Sequence, residues 1–214
     1  MSRARMEKRR HAMVARQIAA RGIKDARVLE AMRDVPRHEF VAAEFQELAY
    51  ADEALPIEAG QTISQPYIVA RMAELAAIAP EDIVLEVGAG SGYAAAVLGR
   101  LARRVIAIER HAELASLARH RMSALGYGNV EIVHGDGYRG WPAAAPFDAI
   151  VVSAGAADMP PALKPQLKIG GRLVIPLSVG AYQSLICIRR TGDDTYTEER
   201  HEPVAFVPLV ADDR

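Results

Sequence analysis

The chain has 214 residues, half of them hydrophobic, and 26 basic against 27 acidic side chains give a formal net charge of −1. That length supports one well-cored domain with a small appendage, and the near-neutral balance gives no electrostatic case for a nucleic-acid partner. A single cysteine, Cys187, excludes an internal disulfide framework and a cysteine-based zinc site, and no stretch is apolar for long enough to span a membrane.

Arg3, Arg5, Lys8, Arg9 and Arg10 make a basic start without the apolar core of a secretory signal. It reads as a solvated helix face, and the cytoplasm is the expected compartment. Residues 6–33 read as helical, with Met13, Ile18, Val28, Leu29 and Met32 spaced among charges and Gly22 separating two helices. Pro36 and Arg37-His38-Glu39-Phe40 open a further short element. Residues 51–64, with Pro56 and Gly60, show no period and read as irregular, and a helix follows over 65–77.

From Ile83 the pattern becomes alternating. Strands are predicted at 83–87, 104–108, 130–134, 149–153 and 172–176, with helices at 91–101, 112–125 and 161–167 between them. That alternation predicts an α/β fold with a parallel, doubly wound sheet. Two late apolar runs, 183–190 and 203–209, flank the polar segment 191–202 and read as an antiparallel strand pair added at the sheet edge. Residues 1–80 form a helical extension, and 1–214 are expected to be one domain. Cys187, inside Leu185-Ile186-Cys187-Ile188, reads as a buried structural thiol.

The run Glu86-Val87-Gly88-Ala89-Gly90-Ser91-Gly92-Tyr93 carries the most information. A strand, a glycine turn and a helix in that order place a nucleoside cofactor over the carboxyl ends of the strands, at the helix N-terminus. A dinucleotide fingerprint asks for glycine at the sixth position, which is Tyr93 here. Glycines at 88, 90 and 92 instead let backbone pass close to a ligand without a pyrophosphate cradle. With Glu86 just before it, this spacing resembles the S-adenosylmethionine site of Rossmann-like methyltransferases.

Three acids fall near strand ends. Glu109, about 20 residues past Gly88, is placed to accept hydrogen bonds from both ribose hydroxyls, or simply caps its strand. Asp136, with Gly137 after it, is placed to meet an adenine edge; Asp-Gly is also an ordinary turn pair. Glu86 either contacts the ligand or steadies the glycine loop through backbone N–H groups. The six histidines (His11, His38, His111, His120, His134 and His201) show no metal-ligand spacing, so no metal is expected. Trp141 reads as a packing anchor.

The acceptor is not named by such a sheet. The informative strings are Val35-Pro36-Arg37-His38-Glu39-Phe40, Ala54-Leu55-Pro56-Ile57 and Thr62-Ile63-Ser64-Gln65-Pro66, together with the glycine run. Gly135-Asp136-Gly137, Pro146-Phe147-Asp148-Ala149-Ile150, Gly170-Gly171-Arg172-Leu173-Val174-Ile175-Pro176 and Phe206-Val207-Pro208-Leu209 follow in register. From about residue 13 to 210 the chain resembles the protein-L-isoaspartate O-methyltransferase family, bacterial type. The Thr-Ile-Ser-Gln-Pro string is far more specific than the glycine turn.

The resemblance implies methyl transfer from S-adenosyl-L-methionine to the side carboxylate of L-isoaspartyl residues in damaged peptides and proteins, leaving S-adenosyl-L-homocysteine. It assigns Ser64 as the active-site serine and puts Ile63 and Ser64 between cofactor and peptide. It has Val207 and Leu209 present backbone to the substrate chain, and Gly88, Gly90, Gly92, Glu86, Glu109, Asp136 and Gly137 hold the cofactor. Ser64 reads equally, on spacing alone, as the N-cap before Gln65-Pro66. A monomer without nucleic-acid or membrane partners is expected. Where the family commonly has Gln after Tyr93, this chain has Ala94. Two rival readings are a nucleic-acid base methyltransferase and a non-enzymatic cofactor-binding module. The first lacks its Asn-Pro-Pro-Tyr-like motif, since the place after the fourth strand reads Val152-Ser153-Ala154-Gly155.

Overall fold

The computed structural model describes residues 2–211; the ends of the expected 1–214 domain, residue 1 and residues 212–214, lie outside that range. Helix α1 (Arg3–Met13) continues through a π turn, Val14–Ile18, and a 3-10 turn, Ala19–Arg21, that ends at Gly22. Helix α2 (Ala26–Asp34) starts at Asp25, whose carboxylate accepts from the amides of Arg27 and Val28. Such a cap contributes about 1 kcal/mol. Pro36 then keeps Val35 extended and stops the helix. Two 3-10 turns follow, Arg37–Phe40 and Ala43–Phe45.

The segment expected to be irregular contains a minimal antiparallel pair, β1 (Leu55–Pro56) with β2 (Thr62–Ile63). Helix α3 (Pro66–Ala76) begins with its proline in the first turn, where no amide partner is needed. Then come β3 (Ile83–Val87), α4 (Tyr93–Gly99), β4 (Arg104–Glu109), α5 (Ala112–Leu125), β5 (Val130–His134), β6 (Phe147–Val152), β7 (Leu167–Val179), β8 (Tyr182–Arg190) and β9 (Tyr196–Val204). Seven strands form one sheet in the order β5-β4-β3-β6-β7-β8-β9, parallel from β5 to β7 and antiparallel through β8 and β9.

Two expected elements are corrected. Residues 161–167 form no α-helix: only a 3-10 turn, Lys164–Gln166, precedes β7, which already starts at Leu167. Pro165 lacks the amide such a helix needs, and its ring crowds the preceding turn. The last strand is not 203–209 but β9, which occupies most of the segment read as a polar linker. It is an edge strand, so charged side chains are tolerated on it and protect the open edge. Residues 205–211 leave the sheet and cross toward its carboxyl end, where Pro208 makes a single bridge to Gly155.

The sheet divides the core unequally. Val84, Val105, Ala107, Ala149, Val151 and Cys187 face the larger cluster, to which α1 through α5 all contribute. The alternate residues, Leu85, Val87, Ile106, Ile108, Ile150 and Val152, face a second cluster that contains no α-helical residue. That face is covered by loops and 3-10 turns, with Trp141 packed against it. Strand order reverses between β3 and β6, so their carboxyl ends, Val87 and Val152, open a crevice at the switch point.

Candidate active site

The glycine loop leaves β3 at that crevice. Gly88, Gly90 and Gly92 take φ of 90°, 52° and 88°, which side chains with a Cβ rarely adopt. Gly88 and Ala89 both donate to the Ile108 carbonyl at 2.9 Å, tying the loop to β4. Glu109, almost wholly buried, completes the tie: one oxygen accepts from Gly90 N and the other from His111 N, each at 2.8 Å. It therefore caps its strand and steadies the loop. Each carboxylate oxygen keeps lone-pair capacity for a further donor.

Loop steadying was one expectation for Glu86, but among the described residues the glycine-loop amides bond to Ile108, Glu109 and Ala89 and none to Glu86. The Glu86 side chain is completely buried; one oxygen accepts from Ser153 Oγ at 2.9 Å and the other has no partner among the described residues. Burial, reinforced by the nearby Glu109 charge, pushes its carboxyl up to about 8. Asp136 makes the local turn, accepting from Tyr138 N at 2.9 Å. At Gly137 a Cβ would lie 2.4 Å from Val87 Cγ1, so a side chain there would displace the strand end.

These residues wall an open chamber of about 150 Å³ lined by Val87, Gly88, Gly90, Glu109, Gly137 and Ser153, together with Val207 and Leu209. A second cleft of about 460 Å³ adjoins it, lined by Glu53, Thr62, Ser64, Gln65, Ile68, Ser153 and residues 203–207. Ile63 is buried beside it, and Ser64 also lines a small cavity with Glu86, Ser91, Tyr93 and Ser153. Ser64 is not the cap of α3: the N-cap position belongs to Gln65, and no side-chain cap bond is made there. Val207 and Leu209 spend part of their backbone internally, with Gly155 N donating to Val207 O at 2.8 Å and Leu209 N donating to Gly155 O at 2.7 Å.

Arg37, which the sequence showed only as one charge in a polar string, is fully buried. Its guanidinium donates to the carbonyls of Ala49 (2.5 Å), Glu53 (3.2 Å) and Ser64 (3.0 Å) and lies 5.6 Å from the Tyr93 ring centroid. One side chain thus joins the Ser64 loop to the first residue after the glycine turn. Desolvation lowers its pKa, but a guanidinium stays charged in proteins. Gln183 was also missed: its amide donates to Phe206 O and accepts from Phe206 N at 2.7 Å, holding the final segment over the cleft. Neither residue carries a hydropathy signal. His38 is structural, with Nδ1 2.6 Å from the Tyr50 hydroxyl, and burial lowers its pKa.

The sequence profile described as protein-L-isoaspartate(D-aspartate) O-methyltransferase matches residues 8–214. The chain belongs to this family. It is 55% identical over 205 residues to protein-L-isoaspartate O-methyltransferase 2 of Pelobacter propionicus, covering 95% of this chain and 91% of that one. A solved protein-L-isoaspartate O-methyltransferase superposes with TM-score 0.86 at 28% identity, over 94% of this chain and 66% of that longer one. A second solved structure, a putative family member from Plasmodium falciparum in complex with S-adenosyl-L-homocysteine, gives TM-score 0.80 at 26% identity, over 94% and 98% of the two chains.

Proposed function

We propose that this chain transfers the methyl group of S-adenosyl-L-methionine to the free carboxylate of L-isoaspartyl residues in damaged peptides and proteins, releasing S-adenosyl-L-homocysteine and initiating repair through a succinimide. The observation that carries this reading is the pair of adjoining chambers, one walled by the glycine loop and Glu109, the other by Ser64. Family membership names the chemistry that joins them.

The residues present fit the cofactor. The glycine loop and Gly137 leave a cradle that side chains would fill, and the unpartnered Glu86 oxygen, once its carboxyl ionises against an incoming positive charge, suits the cationic amino-acid end of the molecule. Gly88, Gly90 and Gly92 give close backbone approach, Glu109 takes the ribose hydroxyls, and Asp136 with Gly137 borders the base. When bound, the cofactor supplies an electrophilic methyl group on a sulfonium centre.

The protein's own task is then positioning. An ionised carboxylate is already a nucleophile, so no strong base is needed. The Ser64 hydroxyl holds one carboxylate oxygen and leaves the other free to attack. Ile63 closes the boundary between the chambers, Val207, which lines both, borders the peptide, and Leu209, which lines the cofactor chamber, helps exclude water. The methyl ester is a better electrophile than the carboxylate: the neighbouring peptide nitrogen attacks its carbonyl carbon, the C–O bond to the methoxy group breaks and methanol leaves with the amide proton, closing the succinimide without further help. Hydrolysis of that ring returns some normal aspartyl linkage.

No helix among the described residues is long and apolar enough to cross a membrane. The reading is of a cytoplasmic, single-domain monomer with no nucleic-acid partner, which light scattering of the purified chain tests for the monomer. The reaction is tested with two peptides that differ only in an aspartyl or isoaspartyl linkage. Methylation confined to the isoaspartyl peptide supports the reading, and equal methylation of both removes the repair role.

A further inference from the structure

The two chambers share three lining residues, Thr62, Ser153 and Val207. A group passing directly from one chamber to the other passes these three. Thr62 is exposed, and Val207 offers backbone and an apolar side chain. Ser153 alone brings a tethered hydroxyl. It follows β6 directly, and its amide donates to Val87 O at 2.7 Å, fixing it to the strand that feeds the glycine loop. Its Oγ donates to Glu86 Oε1 at 2.9 Å, inside the small cavity that Ser64 also lines.

We propose that Ser153 orients the transferring methyl group: with its proton committed to Glu86, its oxygen presents lone pairs, not a donor, at the junction of the chambers. This rests on the reading of the site given above. Lone pairs attract the electropositive hydrogens of a sulfonium methyl through weak C–H···O contacts. They do not compete for the acceptor carboxylate, which is left to the Ser64 donor. The two serines thus divide the work, one accepting toward the methyl group and one donating toward the nucleophile. Glu86 Oε1 can remain an acceptor in either charge state, because a proton on this carboxyl has the unpartnered Oε2 to occupy. In the sequence Ser153 shows only as the first of a run of small residues, Ser153-Ala154-Gly155-Ala156-Ala157, and its partner Glu86 lies far away in the chain.

The test compares the wild type, Ser153→Ala and Ser153→Thr by calorimetry with S-adenosylmethionine and, separately, with S-adenosylhomocysteine, which lacks both the methyl group and the positive charge. Ser153→Ala is expected to weaken the sulfonium form about threefold to fivefold while leaving the homocysteine form within about twofold. Turnover on the isoaspartyl peptide falls roughly tenfold at unchanged peptide KM, and Ser153→Thr restores both values. An equal loss for the two forms, or no loss, overturns the proposal. Should the wild type bind both forms yet methylate no isoaspartyl peptide, the assigned reaction fails, while the affinity ratio still decides the role of Ser153.

Discussion

The two walls of the site are built by different means. The cofactor side is made of strand ends and a glycine loop whose amides are satisfied by neighbours in the sheet, such as Ile108 and Glu109. The acceptor side is made largely of loop segments, around residues 52–54, 64–65 and 203–207, held from a distance by side chains that include Arg37, Gln17 and Gln183. A wall made of sheet ends is specified locally and written as a motif. A wall made of loops depends on single polar residues elsewhere in the chain, and its geometry is correspondingly easier to break.

Breaking the acceptor wall at Arg37 should have the largest effect. Arg37→Met leaves three carbonyls without their buried donor, at a penalty of about 1–3 kcal/mol for each group. A urea unfolding midpoint should fall by the equivalent of at least about 3 kcal/mol, and Arg37→Lys, which keeps the charge but loses the fork, should fall by less. Unchanged midpoints in both variants would show that the loop holds itself.

On the cofactor wall, Glu86 links burial to pH. Its carboxyl is raised to about 8, so the folded protein keeps a proton that the unfolded chain releases near 4.5. The stability tied to that proton is complete below pH 4.5 and is lost as the pH rises toward 8. Glu86→Gln does not titrate. The difference in stability in favour of the variant should therefore open across that window, reaching on the order of a few kcal/mol, and stay level above it. Thermal unfolding at intervals from pH 4 to 9 checks this, and a difference independent of pH contradicts it.

The smallest effect belongs to Gln183, which is partly exposed, so water can replace what it offers. Gln183→Ala should raise the KM for an isoaspartyl peptide about fivefold, in line with about 1 kcal/mol for the lost bonds. Cofactor affinity should change less, since the glycine wall is untouched. A larger loss for cofactor than for peptide would reassign the final segment to the cofactor side.

The same contrast explains what the sequence displayed. Strands β3 and β5 lie at the residues the sequence marked: β3 because a strand buried in a parallel sheet announces itself by near-continuous hydrophobicity, and β5, an edge strand, because Val130, Ile132 and Val133 concentrate β-branched side chains in five residues. The glycine spacing was legible because positive φ at 88, 90 and 92 demands that residue type. Strand β9 was hidden: an edge strand reading Thr-Glu-Glu-Arg-His-Glu has no apolar pattern to show. Pro165 ended a helix that composition favoured. Arg37 and Ser153 were hidden for a further reason. Their importance lies in partners far apart in the chain, the Ser64 carbonyl for one and the Glu86 carboxyl for the other, which no local spacing reveals.

The central claim is that a serine at the end of the irregular wall, not a base, presents the acceptor to the cofactor chamber. Ser64→Ala tests it most directly, with turnover on an isoaspartyl peptide measured beside S-adenosylhomocysteine affinity in the same preparation. The account predicts a fall in kcat of roughly a hundredfold, with cofactor affinity within about twofold of wild type. Wild-type turnover in the variant, or a loss of cofactor affinity as large as the loss of rate, would contradict it.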